Sequence, residues 1–347
     1  MKVITIVGAG MMGSAMSVPA SDNGHEVRIV GTHLDRDIID HARAHHQHLY
    51  MHRKLPEGVR YYQLEQLHEA LEGADLLIGG VSSFGVDWFA EAVLPLVSER
   101  LPVLSVTKGL LDQPDGTLVP FPHVLAAKAQ RRLSLNAIGG PCTSYELADR
   151  RHSSVAFCGD DPAILLSLKQ MLSTDYYHIS LSTDVVGVEC AVAMKNAYAL
   201  GVSLAIGMQE RSEGVGGTEA YNPQAALFGQ GVREMSRMIA LAGGGPENIA
   251  YAAGDLYVTI FGGRTRKLGI LLGRGLTFAQ ARQELAGVTL ESVVIAQRTI
   301  RAMEKLVARG LARREDFPLL FHIGRLLADE HDVALPWAAL ETEKYDR

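Results

Sequence analysis

Short, continuous apolar runs alternate with helical patterns through the first half of the chain, and this alternation limits the fold more than any other feature. "KVITIVG" opens the sequence, followed by "MMGSAMSVPASDNG" at helical spacing and then "HEVRIVG". Further runs follow: "DLLIGGVS" around Leu76, "PVLSVTKG" around Val103, "LNAIGGP" around Ala137 and "SSVAFCG" around Val155. Helical spacing lies between them over Val86–Glu99 and Pro162–Leu172. Apolar strands alternating with helices predict βαβ units and a parallel sheet buried on both faces. Pro19 is awkward inside the first helix, because a proline there removes a hydrogen bond and costs about 3 kcal/mol. The helix is expected to kink there or to stop early.

After about Asp184 the strand signals cease. Helical patterns cover Val185–Met208, Gln224–Ala242, Ser292–Arg309 and Phe317–Asp329, and a polar, glycine-rich loop is expected over Gln209–Asn222. A chain of 347 residues is long for one core, which places a domain boundary near Thr183–Val186. The net charge of −6, with no basic block, argues against nucleic-acid binding. An anionic substrate therefore needs a local basic pocket. Three cysteines (Cys142, Cys158 and Cys190) without CxxC spacing suit a reducing cytoplasm, and Cys142 has no partner histidine pattern for a nucleophile. The opening strand carries no signal-peptide pattern, and Glu189 and Lys195 interrupt the longest apolar stretch, so no membrane span is expected.

"VGAGMMGSA" sets Gly8, Gly10 and Gly13 in G-x-G-x-x-G spacing. The spacing alone is weak, but here it follows a strand and opens a helix, the context of a dinucleotide-binding turn. Gly8 allows the tight turn, Gly10 lets the backbone approach a pyrophosphate, and Gly13 lets helix and strand pack closely. The second strand ends in "GTHLDRD". Gly31, Thr32 and His33 omit the carboxylate that would repel a 2′-phosphate, Arg36 could attract one, and Asp35 or Asp37 could reach the ribose. The cofactor is expected to be NAD or NADP, with tolerance of NADP. In "HARAHHQHLYMH", His41/His45 and His48/His52 have i,i+4 spacing that could chelate a metal on a helix. With no acidic co-ligand in a zinc pattern, a solvated helix or loop is the expectation.

Lys195, followed by Asn196, lies in "GVECAVAMKNAYALGVSLAIGM", the most apolar helix of the chain. An ammonium group there must lose its charge or find a partner. A buried lysine suits proton donation to a carbonyl that accepts hydride, because desolvation lowers an amine's pKa towards neutrality. Asp255, in "AAGDLYVT", is the candidate partner, and Lys108, in "SVTKGL" at the end of a predicted strand, is a further donor. Each also has a plain reading: a lysine that reaches to the surface, an aspartate that caps the next helix.

Over nearly its whole length the chain resembles the NAD(P)-dependent glycerol-3-phosphate dehydrogenase family. "VGAGMMGSA", "SVTKGL", "GGPCTSYE", "STDVVGVECAVAMKNAYALGVSLAIG", "NPQAALFGQGVREM" and "AAGDLYVTIFGGRTRKLG" follow that family's segments in order. The resemblance implies an α/β chain: an N-terminal Rossmann-like doubly wound sheet over residues 1–184, then an all-α C-terminal domain of the 6-phosphogluconate-dehydrogenase-like kind over 185–347. It implies Lys195 as proton donor and base, with Asp255 paired to it and Lys108 and Asn196 positioning the substrate. Thr259, Arg264 and Thr265 would meet the substrate. The cofactor would be met by Gly8, Gly10, Met11, Met12, Gly13, Thr32, His33, Ser82, Phe84, Lys108, Pro141, Arg264 and Glu291.

The chain departs from the family around the substrate. Thr265 replaces the asparagine that usually follows the arginine, Glu291-Ser292 replaces a Glu-Gly pair, "AYAAGDL" lacks one glycine, and Gln224 stands where relatives often carry a basic residue. These changes admit a different small phosphorylated polyol or ketone as substrate, and a non-catalytic dinucleotide-binding regulator is the further alternative. Otherwise the expectation is a cytoplasmic homodimer that takes a small phosphorylated substrate and touches neither nucleic acid nor the membrane interior.

Overall fold

The computed structural model describes residues 1–287, 290–330 and 334–340, without the side chains of 291 and 292. The chain divides into two compact units: Met1–Gly109 with Pro120–Glu189, and Leu110–Val119 with Cys190–Arg347. The short insert Leu110–Val119 thus belongs to the second unit, a grouping that no local sequence pattern reveals.

The first unit is built on eight strands: β1 (Val3–Val7), β2 (Glu26–Val30), β3 (Arg60–Tyr62), β4 (Leu76–Gly79), β5 (Val103–Ser105), and, beyond the insert's β6 (Leu110–Asp112) and β7 (Leu118–Pro120), β8 (Leu135–Gly139), β9 (Ser153–Cys158) and β10 (Tyr177–Ser182). Their order is β10-β9-β8-β5-β4-β1-β2-β3. Strands β3, β4, β1, β2, β5 and β8 run parallel, as expected. The expectation of a wholly parallel sheet needs correction at one edge. β8 and β9 pair antiparallel, while β9 and β10 are parallel to each other. A continuous apolar run shows that a strand is buried on both faces, but it carries no sign of direction.

Chain order reverses at β1, which lies between β4 and β2. That is a topological switch point, where doubly wound sheets leave a crevice beyond the strand ends. The helix after β1 is split into α1 (Met11–Ala15) and α2 (Ser17–Asp22), with Met16 between them still in right-handed helical geometry. Pro19 lacks the N–H that would bond to Ala15, so the ladder breaks four residues before the proline and not at it. The expected helix over Val86–Glu99 is instead a helical turn at Val86–Trp88, a π-helical turn at Phe89–Val93 and a 3₁₀ turn ending at Leu96, where Pro95 stops propagation.

Among the described residues the second unit is helical apart from β6 and β7. Its long helices are Val185–Glu213 (which begins in the first unit), Tyr221–Leu241, Ile249–Ile260, Gly263–Gly273, Glu291–Ala308 and Pro318–Leu327. The first of these runs past Met208 through the polar residues to Glu213, so the expected loop contracts to residues 214–220, starting at Gly214 with φ +88°. This helix is long and apolar enough to cross a membrane, yet 83% of its apolar window is buried inside the protein. Its hydrophobicity is satisfied by the protein's own core.

Candidate active site

The glycine turn is shaped by contact with its own neighbours. Gly8 has φ +108°, and a Cβ there would lie 2.7 Å from the carbonyl carbon of Gly80. A Cβ on Gly13 would lie 2.3 Å from Gly8 O. Gly80, just past β4, would place a Cβ 2.6 Å from Gly8 O. Three glycines therefore let β1, β4 and α1 meet backbone to backbone. The "IGGVS" double glycine was the signal for Gly80. Gly10 differs: it has ordinary extended geometry, and a Cβ there would meet nothing closer than Gly80 O at 3.8 Å. The protein itself does not need glycine at this position; the open space is a cradle that a side chain would fill.

Beside it lies a cavity of about 230 Å³ lined by Gly8, Gly10, Thr32, His33, Asp35, Gly80, Ser82, Phe84 and Trp88. Several of the expected cofactor residues thus come together. His33 and Trp88 meet edge to face with ring centroids 5.8 Å apart, and Phe84 is 56% exposed. Met11 is exposed and Met12 half-buried on α1, and Pro141 is half-buried just past β8; none of the three lines this cavity. An apolar, partly aromatic cavity beside a bare backbone turn fits a dinucleotide. Asp35 takes an unexpected place: its Oδ2 accepts from Ala9 N at 3.1 Å, Thr32 N at 2.9 Å and Thr32 Oγ1 at 2.8 Å. That oxygen is tied to the protein's own turn. Arg36 is ion-paired with Glu65, both exposed.

The histidine segment is the expected helix and loop except at His48. The helix α3 (Arg36–His45) ends at His46, which has φ +47°, so His48 and His52 share no helix. His48 is buried, with both ring nitrogens hydrogen-bonded. Among the described residues no group of three or more His, Cys, Asp or Glu could hold a metal. Lys108, three residues past β5, donates from Nζ to Gly140 O at 2.8 Å and is half-buried. Cys142 is half-buried and forms no disulfide among the described residues.

In the second unit Lys195 and Asp255 form the pair that the apolar helix demanded. Lys195 Nζ donates to Asp255 Oδ1 at 2.5 Å. The lysine side chain is 14% exposed and the aspartate 0%. The amine is held by a fully buried carboxylate, so the lysine does not simply reach out to solvent. Asp255 lies inside the helix Ile249–Ile260 and does not cap the next one, which corrects that reading. Thr259, one turn on, donates from its hydroxyl to Asp255 O at 2.6 Å. Asn196 is half-buried, Arg264 is exposed in the first turn of Gly263–Gly273, and Thr265 is buried.

The helix of Lys195 and that of Arg264 touch through their backbones. A Cβ on Gly207 would lie 2.0 Å from Ile270 O, and one on Gly273 would lie 2.3 Å from Leu204 O. One turn beyond Lys195, the buried Tyr198 donates to Glu234 Oε2 at 3.1 Å. Glu234 also accepts from Leu319 N and Leu320 N, at the start of Pro318–Leu327. The lysine is thus mounted on a helix locked on two sides. The side chains of Glu291 and Ser292 lie outside the described residues.

A doubly wound sheet with an open glycine turn, followed by a helical unit with a buried lysine–carboxylate pair, defines a two-domain nucleotide-dependent dehydrogenase. Residues 3–164 and 184–336 match the N-terminal and C-terminal regions described as NAD-dependent glycerol-3-phosphate dehydrogenase, and the chain belongs to this family. It is 34% identical to the NADP(+)-dependent glycerol-3-phosphate dehydrogenase of Archaeoglobus fulgidus over 88% of this chain and 91% of that one. It is 25% identical to the glycerol-3-phosphate dehydrogenase [NAD(P)+] of Shouchella clausii, over 88% of each. In fold it is similar to the glycerol-3-phosphate dehydrogenase of Coxiella burnetii, with TM-score 0.78, 24% identity and coverage of 98% and 97%. The chain is an oxidoreductase that interconverts dihydroxyacetone phosphate and sn-glycerol 3-phosphate with NAD or NADP.

Proposed function

We propose that Lys195 is the proton donor to the ketone oxygen in reduction and the base that takes the proton back in oxidation. The observation that carries this is the 2.5 Å contact to Asp255, made by a lysine whose side chain remains 14% exposed. Asp255, fully buried, orients the amine and balances its charge when protonated. Lys108 and Asn196 position the substrate. Arg264, exposed at a helix start with Thr259 nearby in sequence, binds the phosphate end through charge-assisted hydrogen bonds. The nicotinamide cofactor, when bound, supplies the hydride.

The N-terminal domain, residues 1–184, holds the dinucleotide at Gly8–Gly13, Thr32, His33, Ser82 and Phe84. The helical domain, 185–347, supplies the proton-transfer pair. The test is Lys195→Ala: kcat falls by about 10²- to 10⁴-fold, the usual scale of acid–base catalysis, while NADPH affinity changes little. Equal turnover in the variant removes the assignment.

NADPH is expected to serve at least as well as NADH. Thr32 and His33 bring no carboxylate to the strand end, and one oxygen of Asp35 is bound by the turn. Comparing kcat/KM for the two cofactors decides this. We place the enzyme in the cytoplasm, a reducing compartment that its three scattered cysteines suit, and as a homodimer, which the exposed Tyr221, Tyr257 and Phe261 on the second unit support. Light scattering on the purified protein tests the dimer.

A further inference from the structure

The peptide between Ala9 and Gly10, at the centre of the glycine turn, is gripped at its carbonyl by one side chain five residues on and by one distant in sequence. Ala9 O accepts from His48 Nε2 at 2.9 Å and from Ser14 Oγ at 3.1 Å. Ala9 N is taken by Asp35. The other ring nitrogen of His48, Nδ1, accepts from the backbone N–H of Tyr50 at 3.2 Å and of Met51 at 3.0 Å. A nitrogen facing two N–H donors carries no proton, so the ring is neutral and its single proton lies on Nε2, pointed at Ala9 O. His48 is 1% exposed, so water cannot replace these bonds.

A trans peptide holds its C=O and N–H in one plane and pointing opposite ways. Fixing Ala9 O therefore fixes the direction of the Gly10 N–H, which points away from His48. Gly10 is the residue whose surroundings are left open by the protein itself. We propose that His48 is a positioning residue for cofactor binding: it presets the Gly10 N–H for a dinucleotide phosphate, and its neutral form is required for that geometry. The inference rests on the reading of Gly8–Gly13 as the phosphate turn.

Protonation at Nδ1 would set a third N–H against those of Tyr50 and Met51, and the ring would have to leave its seat. Burial holds the His48 imidazole below the ordinary histidine range, opposed by its bond to Ala9 O. Of the charged groups around it, Asp35 favours the protonated ring, while His41 and His52 oppose it. A histidine depressed in this way keeps the turn intact above its own pKa and releases it as pH falls below. Cofactor binding should therefore weaken on the acid side of the ordinary histidine value.

The experiment measures the Kd of NADPH by fluorescence titration, and KM and kcat with dihydroxyacetone phosphate, from about pH 5 to 8, where histidines titrate. The variants are His48→Ala, His48→Gln and Gly10→Val. The amide of glutamine can accept from backbone N–H through Oε1 and donate from Nε2, and it does not titrate. His48→Ala should weaken NADPH about tenfold, the scale of one or two lost buried hydrogen bonds, with the loss in cofactor KM and not in kcat. His48→Gln should restore binding near neutrality and flatten the acid limb. A merely structural histidine would not produce that flattening. If Gly10→Val weakens NADPH but both His48 variants keep the wild-type Kd and acid limb, the role of His48 is overturned alone. Unchanged NADPH affinity in Gly10→Val overturns the phosphate-turn reading, and the role of His48 falls with it.

Discussion

At Gly10 the backbone sits at φ −63° and ψ 169°, open to any L-residue, and the nearest atom to an added Cβ is Gly80 O at 3.8 Å. Gly10→Ala therefore costs the fold little. Alanine narrows the unfolded ensemble, worth about 0.4–1 kcal/mol in favour of folding. Against this, Gly10 precedes α1 as its N-cap, where alanine is worse than glycine by about 1 kcal/mol. The two effects nearly cancel. The melting temperature should move by no more than about 2–4 °C, the shift expected for 1 kcal/mol in a domain of this size.

Gly13→Ala behaves otherwise, because its Cβ would stand 2.3 Å from Gly8 O and 3.2 Å from Gly80 Cα. Both obstacles are backbone, so β1 or α1 must move, at a cost of about 1–3 kcal/mol or more. If dinucleotide phosphate uses the space at Gly10, the methyl group competes with it for about 1–3 kcal/mol, or roughly 5- to 150-fold in Kd. Thermal melts and NADPH titrations on both variants give the comparison. The expected pattern is a stable Gly10→Ala that binds poorly beside an unstable Gly13→Ala. A Gly10→Ala protein with wild-type NADPH affinity refutes the reasoning, and so does one as unstable as Gly13→Ala.

Further outcomes concern the second unit. Lys195→Ala strands a buried carboxylate and should lose about 3–5 kcal/mol of stability besides its activity; adding Asp255→Asn should recover part of the stability and none of the turnover, seen by melts and by NADPH oxidation. Arg264→Ala should raise the KM for dihydroxyacetone phosphate about tenfold, with lysine restoring only part, because an ammonium lacks the two-pronged guanidinium contact. Burial pushes the Glu234 carboxyl up to about 7 from an ordinary 4.5. A carboxyl raised on folding gives stability that is complete below 4.5 and lost as pH rises through 7, up to ~3 kcal/mol here. Glu234→Gln should lack that slope and be less stable throughout, because one end of its amide faces N–H donors. Denaturant midpoints that depend on pH identically in the two proteins would contradict this.

What the sequence showed and what it concealed divide along a physical line. Lys195 was legible because an ammonium in an apolar helix states a problem, and Asp255 stood out as an acid in apolar surroundings 60 residues on. Gly8 and Gly13 were legible because their requirement is local, a turn followed by a helix. The antiparallel edge at β9 and the insert Leu110–Val119 were not, since strand direction and unit membership depend on distant neighbours.

His48 shows the boundary most clearly. In sequence it is one of several histidines in a polar stretch, and i,i+4 spacing suggests a metal. Its function comes from Ala9, 39 residues earlier, and from two backbone N–H groups that exist only once α3 has ended at His46. Spacing motifs report bonds made along one element, whereas a peptide plane held by a remote side chain leaves no periodic trace. Residues that touch ligand directly are constrained in type by the ligand's chemistry and so recur as motifs. Residues that aim the backbone need only fit the local packing of one chain, and many side chains can supply one hydrogen bond. The departures of this chain from its family should therefore be read by what each side chain holds in place as well as by what it could offer to substrate.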